Sequence, residues 1–354
     1  MVDESAGTPT AIQVRRRKRT ALITLLSALT LVVVAAVIAI VYLGSLATTF
    51  DTKTQKIPDA FPQESTRPQA VAPPSSTDGK TAINILMVGT DSRGATVQEA
   101  EAGTPSDQRS DTMMLVHIPA DRKNVYVVSI MRDLWVPIPG HGTAKINAAL
   151  AFGGVPLMVQ TVESLLHQRI DHVVFMDFEG FKGLTDAVGG VTVDVKIPFT
   201  AAQTSDYHFN AGPQTLNGDE ALAYVRERYA FPDGDYQRVR DQQTFIKALV
   251  GKLASTQTLT NPVTISNAVN EVAPYLTVDS SFNSAAAASL AFELRDVRAG
   301  DIVTFTLPTD GIGWSTDGQS IVLFNAPATS ALADALAKGQ MQQYVKDNNL
   351  TNGN

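Results

Sequence analysis

Beyond residue 80 the chain alternates short apolar runs with longer stretches of helical periodicity. Residues 83–89, 112–118 and 125–130 have strand length and are rich in Val and Ile. The last two are separated by the polar turn Asp121-Arg122-Lys123-Asn124. Residues 146–152 and 155–167 fit helices broken at Gly153-Gly154, and 172–177 fits a buried strand. Residues 178–187 fit a helix stopped by Val188-Gly189-Gly190, with another strand at 191–195. Asn217-Gly218-Asp219-Glu220 signals a helix start for 216–228. An amphipathic helix is expected over 238–254, with Phe245, Ile246, Leu249, Val250 and Leu253 on one side. Further helices fit 263–272 and 284–294, before a last strand at 301–307. Strands alternating with helices imply an α/β fold, an α/β/α sandwich around a central mixed β-sheet.

The N-terminal third follows a different pattern. Arg15-Arg16-Arg17-Lys18-Arg19 precedes an uncharged apolar stretch, 21–43, long enough to cross about 30 Å of hydrocarbon. The expectation is an uncleaved single-pass anchor with residues 1–20 as a basic cytoplasmic tail and everything later outside the cell membrane. A cleaved signal peptide is the other reading, and it also exports the domain. Residues 44–80 are rich in Pro, Ser and Thr, and 51–80 shows no apolar periodicity, so a flexible stalk is expected there. The folded domain is expected over 81–325, and 326–354 as a peripheral helix with a disordered tail.

Composition narrows the chemistry. The net charge over 354 residues is −7, which disfavours nucleic acid as a partner and requires any anionic ligand to meet a local basic cluster. Cysteine is absent, which excludes disulfides and thiolate metal sites. The five histidines (His117, His141, His167, His172, His208) have no metal-ligand spacing. Gly79-Lys80-Thr81 imitates the end of a phosphate-binding loop, but Pro74 stands where that loop needs glycine.

Arginines and aspartates recur at the ends of the strand-like runs, in Asp91-Ser92-Arg93, Arg109-Ser110-Asp111 and Met131-Arg132-Asp133, and Arg226-Glu227-Arg228 lies in a helical pattern. Guanidinium forks bind phosphate oxygens bidentately. If strands 83–89 and 112–118 are antiparallel neighbours, Asp91 and Asp111 converge, and two carboxylates with phosphate oxygens and waters suit Mg²⁺. The competing reading makes each Asp a turn cap and each Arg a surface side chain paired with Glu227, Asp233 or Asp235. Arg226 and Arg228 diverge on a continuous helix, unless the backbone turns at Tyr229-Ala230-Phe231-Pro232. The apolar residues Phe175, Phe178, Phe181 and Leu184 fit either core or the lining of a lipid tunnel.

In their order and spacing these motifs resemble the LytR-CpsA-Psr family. The resemblance covers about residues 82–253. It rests on Asn84-Ile85-Leu86-Met87-Val88-Gly89-Thr90-Asp91-Ser92-Arg93, Arg109-Ser110-Asp111-Thr112-Met113, Ser129-Ile130-Met131-Arg132-Asp133, Lys145-Ile146-Asn147-Ala148-Ala149 and the stretch from Arg226 to Gln243. It implies a phosphotransferase that moves a glycopolymer from a polyprenyl-pyrophosphate carrier onto peptidoglycan. Carried over, Asp91 and Asp111 hold Mg²⁺, while Arg109, Arg132, Arg226, Arg228, Arg238 and Gln242 hold the pyrophosphate. Arg132 is then closest to catalysis, and Asp91 or Asp133 is the candidate base. The polyprenyl chain enters an apolar pocket between sheet and helices. Two departures stand out. Met131 replaces a common proline, and Asp241 stands directly before Gln242-Gln243 where the family tends to have arginine, with Arg240 one position earlier. Alternative functions are a polyprenyl-pyrophosphate hydrolase and a non-enzymatic membrane-anchored transcriptional attenuator.

Overall fold

The computed structural model describes residues 37–69, 79–90, 112–202 and 206–350. Within them the chain separates into a unit ending at Thr48 and a second unit, Thr49–Asn354. Of the expected membrane span, 21–36 lies outside the described residues. The remainder is helical and exposes Val37, Ile38, Ile40, Val41 and Leu43.

The second unit is built on a seven-stranded mixed sheet. Its strands are β1 (Gln55–Ile57), β2 (Ile83–Thr90), β3 (Thr112–Ile118), β4 (Val125–Ile130), β5 (His172–Asp177), β6 (Leu276–Asp279) and β7 (Ile302–Thr306). They lie in the order β1-β6-β5-β2-β3-β4-β7. The centre consists of β2 paired antiparallel with β3 and parallel with β5. Gly89 therefore stands opposite Thr112 on one side and Met176 on the other.

Both faces of the sheet are covered, as the near-continuous apolar strands require. One face presents Leu86, Val88, Met113, Leu115, Val128, Val173 and Phe175 to α1 (Ala148–Leu166) and to the C-terminal helices. The other face presents Ile85, Met114, Val127, Val174 and Val278 to Ile246 and Val250 of α4 (Asp235–Leu253), and to Leu290 of α5 (Ser284–Glu293). A third cluster joins α2 (Phe178–Ala187), α3 (Gly218–Arg226), Phe245 and Leu249 of α4, and the ribbon of Val191–Val195 with Gly212–Leu216. The expected break in α1 is present: Gly154 takes φ 65°, a conformation that costs a residue with a Cβ, and Gly153 is also non-helical. Asn217 caps α3 through a reciprocal capping box with Glu220.

Two expectations are corrected. Over its described residues the stretch 44–80 is no loose stalk. Ile57 and Ala60 are buried, β1 extends the sheet along β6, and Arg67 reaches back to α1. The Arg67 guanidinium donates to Glu163 from Nε at 3.0 Å and Nη2 at 2.6 Å, and to the Ile170 carbonyl, while lying 4.7 Å from the Phe61 ring. Pro and Ser content misled because it reports backbone preference and not the partners a few apolar residues find. Nor is the C-terminal helix peripheral. Residues 326–347 form α6 (Ala326–Ala337) and α7 (Met341–Asp347), whose Leu332, Leu336, Met341 and Val345 belong to the main core.

Glu163 is 1% exposed, so removing its cation strands a buried charge. Arg67→Ala is expected to lower unfolding stability by about 3 kcal/mol or more. Urea denaturation of the full chain in detergent checks this, and a loss within error of zero would mean that the ion pair is immaterial.

Candidate functional site

Between the second sheet face and helices α2, α3 and α4 lies a cavity of about 190 Å³. Its interior is apolar: Met87, Met114, Val174 and Met176 from the sheet, and Phe181, Leu222, Phe245 and Ile246 from the helices. Four arginines also line it, Arg132, Arg226, Arg228 and Arg238, together with Gln242, Thr112 and Asp177. Five of the expected site residues are thus brought together from three separate chain segments. Asp91, Arg109 and Asp111 lie outside the described residues. Of the apolar residues left undecided, Phe178 and Phe181 line the cavity. Phe175 packs in the core on the opposite sheet face, and Leu184 in the third cluster.

Each guanidinium has a local support. Arg226, the last residue of α3, lies 4.4 Å from the centre of the Phe178 ring, a cation–π contact. Helix α4 starts three residues earlier than expected, because Gly234 (φ 48°) turns the chain into Asp235. That early start puts Asp235 one turn before Arg238. Its Oδ1 lies 3.1 Å from Arg238 and 3.5 Å from Arg228, so one carboxylate serves two arginines. Arg132 follows β4, with Nε 3.9 Å from Asp133. Asp133 also meets Lys145 at 3.3 Å and is not among the lining residues, which weakens it as a base.

Gln242 donates to Thr112 Oγ1 at 2.9 Å and to the Val225 carbonyl at 3.1 Å. With both N–H groups engaged it is a strut joining α4 to β3 and α3, and in this arrangement it does not donate to a phosphate. Gln243 does the same one step on, donating to Ser129 and Thr306 at 3.1 and 3.2 Å. These struts were not anticipated. Glutamines on an amphipathic helix carry no sequence mark of whether they face solvent or strand hydroxyls.

The residue that departs from the family pattern, Asp241, does not reach the cavity. It is buried, accepting from Gln237 at 2.9 Å and from the Tyr224 hydroxyl at 3.1 Å, while its Oδ2 lacks a hydrogen-bond partner. Burial pushes its carboxyl up to about 6. Arg240 points elsewhere, to Asp233 and Gln237, and lines a separate cavity with Tyr236 and Tyr344. It does not replace the missing arginine. Among the described residues no group of three or more His, Asp or Glu is placed to hold a metal ion.

The site is thus an arginine-lined, mostly apolar cavity on one face of an α/β/α sandwich, and similarity to known proteins gives the family. The model of the LytR_cpsA_psr family matches residues 42–338, and the chain belongs to that family. It is 31% identical over 288 residues to the cell wall biosynthesis protein LcpA of Corynebacterium glutamicum, covering 70% of this chain and 54% of that protein. It is 36% identical over 203 residues to the polyisoprenyl-teichoic acid–peptidoglycan teichoic acid transferase TagU of Bacillus mycoides, covering 57% and 62%. The chain thus spans little more than half the length of these relatives. Among solved structures it resembles Bacillus subtilis TagV (TM-score 0.63, 26% identity, 74% of this chain and 98% of the other). It also resembles TagT bound to LI-WTA (TM-score 0.57, 27% identity, 77% and 97%).

Asp241 sets a pH dependence. Its pKa is about 6 folded against 3.8 in the reference state, so the folded chain binds more protons between those values. Stability contributed by the protonated form is therefore present below about pH 4 and is lost as pH rises to about 6. Buried His117, lowered from 6.5 to about 4, works in the opposite direction over nearly the same window. In the wild type these two contributions therefore nearly cancel each other. Asp241→Asn should unmask the His117 slope and gain on the order of 2 kcal/mol relative to wild type on going from pH 4 to pH 7. Chemical unfolding of both chains across pH 4–7 measures the difference, and parallel profiles would exclude a perturbed Asp241.

Proposed function

We propose that this protein is a phosphotransferase that attaches a glycopolymer from a polyprenyl-pyrophosphate carrier to peptidoglycan, at the outer face of the cell membrane. One observation carries the reading: four arginines line the same mostly apolar cavity of about 190 Å³. That combination suits an amphiphile with a hydrocarbon chain and a multiply charged phosphate end. The names of the relatives, a teichoic acid transferase and a cell wall biosynthesis protein, support the same substrate class. The neighbour TagT bound to LI-WTA supports it too.

In this reading Met87, Met114, Phe181, Phe245 and Ile246 take the first isoprene units. Arg226, Arg228 and Arg238 hold the pyrophosphate, and Arg109 joins them by resemblance. A hydroxyl of the glycan attacks the phosphorus that carries the sugar, and the bond from that phosphorus to the bridging oxygen breaks. The hydroxyl proton ends on the departing polyprenyl phosphate, relayed by Asp91. Charge on the transferred group is highest in the transition state, and Arg132 is assigned to meet it. For Mg²⁺ the support is a pairing: Asp91 and Asp111 flank strands β2 and β3, which are in register at Gly89 and Thr112. These two carboxylates would hold the ion, and oxygen ligands of this kind suit it. When bound, Mg²⁺ supplies neutralisation of non-bridging oxygens.

The test uses the full chain in detergent with a short-chain polyprenyl-pyrophosphate saccharide and peptidoglycan oligomers, read by mass spectrometry. A glycan mass increased by sugar phosphate is expected. Free sugar phosphate with no adduct would make the enzyme a hydrolase. Arg132→Ala should cut transfer by about 100-fold or more with unchanged unfolding. Near-normal transfer by this variant would remove Arg132 from the chemistry. Ile246→Phe narrows the cavity and should raise KM for long-chain donors by about tenfold while sparing short-chain ones. An equal effect on both would mean that the lipid does not enter there.

A further inference from the structure

Arg226 and Arg228 are one residue apart, and on a continuous helix their side chains would diverge by about 200°. Both nevertheless line one cavity. The helix ends at Arg226, and Glu227 between them is extended, at φ −66° and ψ 136°. Glu227 is only 3% exposed, and among the described residues none of the ion pairs includes it. Its carboxylate is occupied by the backbone instead. Oε1 accepts the N–H groups of Arg228 at 2.8 Å, Tyr229 at 2.6 Å and Ala230 at 3.0 Å, and Oε2 accepts that of Ala202 at 2.6 Å. Hydrogen bonds to an ionised acceptor are the strong kind, and four of them fix a turn that no regular element would hold.

The consequences reach the guanidiniums. Tyr229, pinned by its N–H, brings its ring to 4.6 Å from the Arg228 guanidinium and its hydroxyl into hydrogen-bond contact with it. On the other side, the helix ends at Arg226, whose guanidinium lies over the Phe178 ring. The bond to Ala202 ties this turn to the segment that follows the Phe199–Thr200 strand.

We propose that Glu227 is a positioning residue for the anion site. It touches no substrate, but sets the angle and spacing of Arg226 and Arg228, and through them the preference for two linked phosphates over one. This rests on the assignment of the cavity to pyrophosphate. A merely structural role would lower the unfolding temperature and leave that preference alone.

The experiment measures binding of inorganic pyrophosphate and of orthophosphate to the full chain in detergent, by calorimetry well below the unfolding midpoint. Glu227→Ala should reduce the ratio of the two affinities by about tenfold, since small misplacements of binding groups cost that much or more. Glu227→Gln keeps an acceptor oxygen but loses the charge and turns an N–H₂ group against Ala202. It should reduce the ratio by about threefold and serves where the alanine variant fails to fold. Arg226→Ala is the control. If wild type binds no pyrophosphate, or binds it as well as Arg226→Ala does, the functional reading itself fails. If Arg226→Ala weakens binding but a folded Glu227 variant keeps the wild-type ratio, only the positioning role is overturned.

Discussion

Four guanidiniums around a cavity of about 190 Å³ repel one another, and the architecture around them manages that repulsion. Asp235 is shared by Arg228 and Arg238, Asp133 lies between Arg132 and Lys145, and the Phe178 ring faces Arg226. They hold the arginines in place around the cavity. A chain with a net charge of −7 thus still brings four arginines to one cavity.

Helix α4 translates the fold into that arrangement. Its Ile246 and Val250 pack on the sheet, Phe245 and Leu249 on the third cluster, and Gln242 and Gln243 bond to β3, β4 and β7. Because two apolar surfaces and two polar struts act on the same two turns, the helix has little freedom to roll. Asp235 at its start and Arg238 one turn on inherit that fixity. The apolar cavity beneath is the space left where α2, α3 and α4 meet the sheet without closing on it.

Much of this was legible in the sequence. The ranges 112–118, 125–130, 172–177, 178–187 and 191–195 coincide with observed elements, because Val- and Ile-rich runs ending at Gly or charged turns leave few alternatives. The convergence of Arg132, Arg226, Arg228 and Arg238 was legible only through the family resemblance, since spacing alone allowed surface arginines. What escaped was the identity of partners. Glu227 reads as an arginine's counter-ion but bonds to backbone N–H groups, while Asp235 carries the ion pairs. Leu332, Leu336, Met341 and Val345 have helical spacing, yet periodicity gives a face and not the surface it meets. Asp241 escaped as well, because its burial depends on Tyr224 and Gln237 approaching from two helices.

The entry of the chain into the sheet has a mechanical consequence. Strand β1 runs parallel to β6, with Gln55, Lys56 and Ile57 opposite Thr277, Val278 and Asp279, and the Arg67–Glu163 pair follows shortly after. A pull along the axis of β1 would act at right angles to the general direction of its hydrogen bonds. Such a strand is loaded in shear: its ladder shares the load instead of unzipping one rung at a time. The small edge strand and its ionic lock therefore resist such a pull together, one by a ladder and the other by a buried ion pair.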